Sequence, residues 1–144
     1  MKALFSTIRN DRLVDAVILI MRVWVGSFML THGVPKLMNF FSDAPIQFAD
    51  PIGIGVFPSL VLVVFAEFFC ASFLILGFAS RVFVIPLIIN MSVAGFIAHA
   101  NDPFGKKEMA FLFLLMYIVI LVLGSGKFSL DRLIENRLNS KLQS

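Results

Sequence analysis

At 144 residues, with 59% hydrophobic and only 15% charged side chains and a mean hydropathy of +0.94, the chain is far from the roughly 25% charged content of soluble domains. A water-soluble globule would need a polar surface that these residues cannot supply, so lipid is expected to solvate most of the molecule. The net charge of +3 comes from scattered Lys and Arg, with no basic patch interleaved with stacking aromatics, which sets nucleic-acid binding aside. Cys70 is the single cysteine, which excludes an internal disulfide and any zinc or iron–sulfur centre built from cysteines.

Lys2, Arg9 and Arg12 precede an apolar run from Leu13 to Met38 that is interrupted by Asp15, Arg22, His32 and Lys36. A cleaved leader also begins with basic residues before an apolar stretch, but Arg22 breaks this one and no small-residue cleavage pattern follows. The segment is therefore read as a retained first span over 13–38. A second span is expected over 56–79, interrupted only by Glu67. Residues 82–101 and 109–126 hold no Lys, Arg, Asp or Glu, which predicts a third span over 82–100 and a fourth over 108–126. The expected fold is all-α: an integral membrane four-helix bundle, forming one domain over 1–144.

Lys and Arg set the expected orientation. Lys2, Arg9, Arg12, Arg81, Lys127, Arg132, Arg137 and Lys141 fall on one side, against Lys36, Lys106 and Lys107 on the other. Both termini should then face the cytoplasm. The loop over 39–56 carries Phe40, Phe41, Ile46 and Phe48, which places it in the bilayer interface as a possible lid. After Gly124-Ser125-Gly126, Ser129 can cap a short helix whose Leu130, Leu133, Ile134 and Leu138 share one face. With its basic residues, this is expected to be an interfacial amphipathic helix on the inner leaflet.

Charge within a span is costly, about 2.5–3.5 kcal/mol on insertion scales, so Arg22 and Glu67 each need a partner. Ideal helix rise puts them roughly 14 and 18 Å from the cytoplasmic side, and this match in depth makes them candidates for one buried ion pair. Arg22, Gly26, Met29, Gly33 and Lys36 fall on one stripe of the first helix, with His32 at its edge. Gly26 and Gly33 on that stripe permit close approach by a neighbouring helix. Asn90 and Pro86 share a stripe of the third helix, where Asn90 suits an interhelical hydrogen bond.

His32 and His99 sit at similar depths near the outer ends of their helices. Two histidines are too few to argue for haem, and no metal site is assigned. Instead His32, Lys36, Asn90, His99 and Glu108 are candidates for a polar vestibule above a Phe-rich bundle. Such a vestibule suits an amphipathic ligand such as a quinone, with its tail in lipid. No other cofactor is evident, and no catalytic residue stands out, so enzymatic activity is left open.

The order of landmarks carries a resemblance. Arg22-x-x-x-Gly26 leads to His32-Gly33-x-x-Lys36; Glu67, Leu76-Gly77 and Ala79-Ser80-Arg81 come next. Glu108 then precedes a fourth span that ends in Gly124-Ser125-Gly126-Lys127-Phe128-Ser129-Leu130-Asp131. From about Leu13 to Asp131 the chain resembles the DoxX family. That resemblance implies a small bacterial four-helix protein of the inner membrane, of a family named for a subunit linked to thiosulfate oxidation with quinone as acceptor. It further implies a partner that is a membrane or cytoplasmic redox protein or, alternatively, a role as a non-enzymatic scaffold, cargo receptor or assembly chaperone. No second cysteine is present for dithiol chemistry and no sulfur-binding motif is visible. A permeation route ranks last, since four short helices enclose little volume without forming an oligomer. The sequence is compatible with an oligomer but sets neither its size nor the order of helices.

Overall fold

The computed structural model describes residues 10–142, and these are helical with no strand. Lys2 and Arg9, used above to count flanking charge, lie outside the described residues. Helix α1 runs over Asp11–Met38 and begins at Asn10, whose side chain accepts from the backbone N–H of Arg12 and Leu13. This cap satisfies two of the amide groups that every helix start leaves unpaired. Helix α2 spans Val56–Leu76, α3 Ser80–Ala98, α4 Phe104–Leu123 and α5 Leu130–Leu142. Successive long helices alternate in direction: α1 packs on α2 and α4, α2 on α3, and α3 on α4.

By length and composition α1, α2 and α3 are apolar enough to cross a membrane. Helix α4 has 20 residues and carries Lys106, Lys107 and Glu108 close to its start. Large apolar side chains stay exposed around the outside, among them Leu13, Val17, Ile20 and Trp24 on α1, each more than 60% exposed. In water such a surface would drive aggregation; in lipid it is already solvated. The buried stripe of α1, namely Ile18, Arg22, Val25, Gly26, Met29 and Gly33, keeps the spacing of one helix face.

Three element ends, one of α2 and both of α4, differ from the sequence reading for clear local reasons. Helix α2 stops at Leu76 because Gly77 turns left-handed at φ 69° and closes the end through bonds from Gly77 N to Leu74 O and Phe78 N to Phe73 O. Helix α4 starts at Phe104, directly after Pro103, and ends before Gly124 at φ 80°. Both α2 and α3 also contain a wide π turn, over Phe65–Cys70 and Ala94–Ala98. Such turns cost regular hydrogen bonding and are often found at functional sites; the first of them contains Glu67.

The bundle thus has two ends. One, the loop face, carries the 39–55 connection and the α3–α4 turn. The other, the tail face, carries the start of α1, the α2–α3 turn and the Gly124–Asp131 segment, which are bonded to one another as described below.

Candidate functional site

The polar centre of the bundle is Glu67, 3% exposed. The Nζ of Lys36 donates to both its carboxylate oxygens at 2.6 Å, and the side-chain amide of Asn90 donates to Oε1 at 3.0 Å. Three helices, α1, α2 and α3, therefore meet on one carboxylate. The approach depends on Gly33: a Cβ there would lie 2.6 Å from the backbone oxygen of Glu67. Only a glycine lets α1 come close enough for Lys36, one turn further on, to reach the carboxylate. Tyr117 of α4, wholly buried, lies within electrostatic reach of Glu67, and its hydroxyl has no hydrogen-bond partner among the described residues.

This arrangement corrects the expected Arg22–Glu67 pair. Both residues are buried, but each is satisfied elsewhere, and the reason is the lean of side chains toward the start of their own helix. On α1 that lean carries Arg22 toward the tail face and swings Lys36 back into the bundle. On α2, which runs the opposite way, it carries Glu67 toward the loop face. Equal depth of Cα atoms therefore brought together the wrong partners.

Arg22, 1% exposed, instead donates to the backbone oxygens of Ser125 and Phe128. It packs so closely against Gly77 that a Cβ there would meet its guanidinium at 2.6 Å. Asp131 completes this clasp: its carboxylate accepts from Ala79 N at 2.6 Å and Ser80 N at 3.3 Å, while its own N–H donates to Gly77 O. Ala79, at φ 43°, is the one non-glycine residue with positive φ among the described residues, and Asp131 holds it in place. Asp15 accepts from Lys127 N at 3.2 Å and pairs with its Nζ at 3.3 Å. The Gly-Ser-Gly…Ser-Leu-Asp stretch is thus the acceptor set for Arg22 and the cap of α3. Sequence reasoning had noted the residues but assigned them no common partner.

The vestibule expected from His32, Lys36, Asn90, His99 and Glu108 does not assemble as one group. Lys36 and Asn90 converge on Glu67. His32 is exposed and stands edge-on to Phe113, with centroids 6.4 Å apart. His99 pairs through Nδ1 with Asp102 at 2.7 Å, a contact that holds the Asp102 carboxyl below its ordinary range. Glu108 is exposed near the start of α4. Among the described residues no three His, Cys, Asp or Glu side chains gather as a metal site would require.

Beside the Glu67 cluster lies an apolar slot of about 270 Å³ between α2 and α3, lined by Leu62, Val63, Phe65, Ala66, Pro86, Ile89, Asn90 and Val93. Its lining is apolar apart from Asn90 and Ser59. Leu62, Phe65 and Ile89 are half exposed on the outside of the helix pair, so the slot borders the surrounding lipid. Pro51 and Ile52 of the 39–55 loop close its loop-face end. Asp50 fixes that loop by accepting from Ile54 N, Gly55 N and Ser59 Oγ, the last at 2.7 Å. Those bonds, Ser59 foremost, hold the Asp50 carboxyl below its ordinary value. The same loop places the Phe48 ring 6.0 Å from Lys36 Nζ.

No curated protein and no solved structure matches the chain. The family model described as DoxX matches residues 17–100, a segment that contains Arg22, Lys36, Glu67 and Asn90 and excludes Glu108 and the Gly124–Asp131 clasp. With more than half its length matched, the chain belongs to the DoxX family.

Proposed function

We propose that this protein is a lipid-embedded subunit of a quinone-linked redox system, in which the α2–α3 slot seats a quinone ring and Asn90 contacts its head group. The observation that carries this reading is the junction of an apolar, lipid-bordering slot with a polar cluster through one shared residue, Asn90. Such a junction fits a flat apolar body with a single hydrogen-bonding end. Lys36 and Glu67 cancel each other's charge, so the cluster favours a neutral ligand over an anion such as thiosulfate. The protein's own residues would bind and orient the ligand, and electrons would pass to a partner redox protein.

In this reading α1–α4 form a four-span bundle in the bacterial inner membrane, with both ends in the cytoplasm. Helix α5 lies on the inner leaflet with Leu133, Ile134 and Leu138, all exposed, facing lipid. The alternative of an assembly scaffold needs intramembrane polar groups free to recognise client helices. Here Glu67 and Arg22 are both engaged within the chain, which favours the ligand-binding reading.

The test is equilibrium binding of a short-tailed ubiquinone analogue to protein in lipid nanodiscs. Asn90→Leu removes the one polar side chain shared by the slot and the Glu67 cluster and should weaken binding about 5- to 10-fold, whereas His32→Ala should leave it unchanged. Equal loss in both variants, or no measurable binding by the wild type, would refute the site.

A further inference from the structure

Two polar layers cross the bundle, and what lies between them bears on how the Glu67 site is reached. The first holds Glu67 with Lys36, Asn90 and Tyr117, contributed by α2, α1, α3 and α4 respectively. The second holds Arg22 against Gly77 and the Ser125 and Phe128 carbonyls. Gly77 directly follows the last residue of α2, ten residues after Glu67, which separates the layers by about 15 Å along the bundle. That interval is filled by Val25, Cys70, Leu74, Val84, Leu87 and Ile120, each 0% exposed and all in one packed cluster. Side chains packed this tightly leave no space for a file of water, and a void lined only by such groups would stay dry.

Access from the opposite direction is different. The Lys36 side chain is 29% exposed, so its ammonium connects Glu67 to the loop-face surface. Asn90 is half-buried and opens the same cluster to the lipid-bordering slot.

We infer that the Glu67 site exchanges polar solutes with the loop face alone, takes up its hydrophobic ligand sideways from the bilayer, and is sealed from the tail face by this apolar septum. The inference rests on Glu67 being the polar centre of the ligand site, yet its test needs no ligand, so the two can fail separately. The protein is then a one-sided vestibule: a polar solute that reaches the Glu67 site comes from and returns to the loop-face compartment. This also separates it from a permeation route, which would need a continuous polar path between the two layers.

The native Cys70, one helical turn from Glu67 toward the tail face, reports on the septum without any substitution. In vesicles of both orientations, a charged, membrane-impermeant thiol reagent should label Cys70 only after denaturation. In the Cys70→Ala background, Lys36→Cys, at the partly exposed member of the cluster, should be labelled when the reagent is in the loop-face compartment, and that labelling should be lost when it is in the tail-face compartment. Labelling of native Cys70 in the folded protein, equal labelling of Lys36→Cys from both compartments, or no labelling of it from the loop face would overturn the inference.

Discussion

Removal of the Lys36 ammonium probes the site most sharply, because Glu67 is buried and Lys36 is the only cation paired with it among the described residues. In Lys36→Met the carboxylate keeps the Asn90 amide but loses both 2.6 Å bonds from Nζ. Breaking a buried pair by removing one partner typically costs about 3–5 kcal/mol. Lys36 is partly exposed, so the lower end applies, about 3 kcal/mol. For a chain of this length that corresponds to a fall of about 6–12 °C in Tm. Glu67→Gln leaves an unpaired but exposed-capable ammonium and should cost less, since Lys36 can reach the surface. The double variant Lys36→Met/Glu67→Gln removes the charge altogether and should recover most of the loss, a coupling that a double-mutant cycle measures directly. Thermal unfolding of the four proteins in nanodiscs gives all terms. Additive losses, with the double variant the least stable, would refute the pairing of Lys36 with Glu67.

Three further outcomes follow from the geometry. Arg22→Lys retains charge but cannot reproduce the forked donation to the Ser125 and Phe128 oxygens; trypsin cleavage after Lys127 should accelerate markedly, and a wild-type cleavage rate would count against the clasp. Tyr117→Phe deletes a buried hydroxyl that lacks a partner among the described residues and should raise stability by about 1 kcal/mol, or about 2–4 °C in Tm; a drop would show that the hydroxyl is hydrogen-bonded in the folded protein. Asp50, held below its ordinary value of 3.8, contributes stability that is present above that value and is lost as pH falls through its lower folded value. Pepsin cleavage within residues 42–55 should therefore rise as pH is lowered from about 4 to about 2, relative to Asp50→Asn; parallel profiles for both proteins would refute the loop anchor.

Much of the fold was legible because hydrophobic runs without charge have few solutions in lipid, and the stripe Arg22, Gly26, Met29 and Gly33 is buried as its spacing implied. Partner identity was harder to read. Arg22 and Glu67 were both recognised as buried charges, but ideal rise locates only Cα atoms, whereas a long side chain adds a reach with a fixed direction along its helix. Lys36 was on the page as a member of the same stripe as Gly33, and the lean of its side chain was the signal that would have assigned it to Glu67. The carbonyl partners of Arg22 lie more than a hundred residues away and are backbone atoms, which carry no side-chain signature. The start of α4 was missed for a third reason: it depends on Pro103, which places the helix start at Phe104 and which hydropathy alone does not resolve.

The ligand site itself is most directly tested by cross-linking with an azido-substituted quinone in native-like lipid, followed by peptide mapping. Labels should concentrate on the slot, on Val63 to Ala66 of α2 and Pro86 to Val93 of α3, and should be lost on competition with unmodified quinone. Labels spread over the lipid-exposed surface of all helices, and insensitive to competition, would contradict a quinone site between α2 and α3.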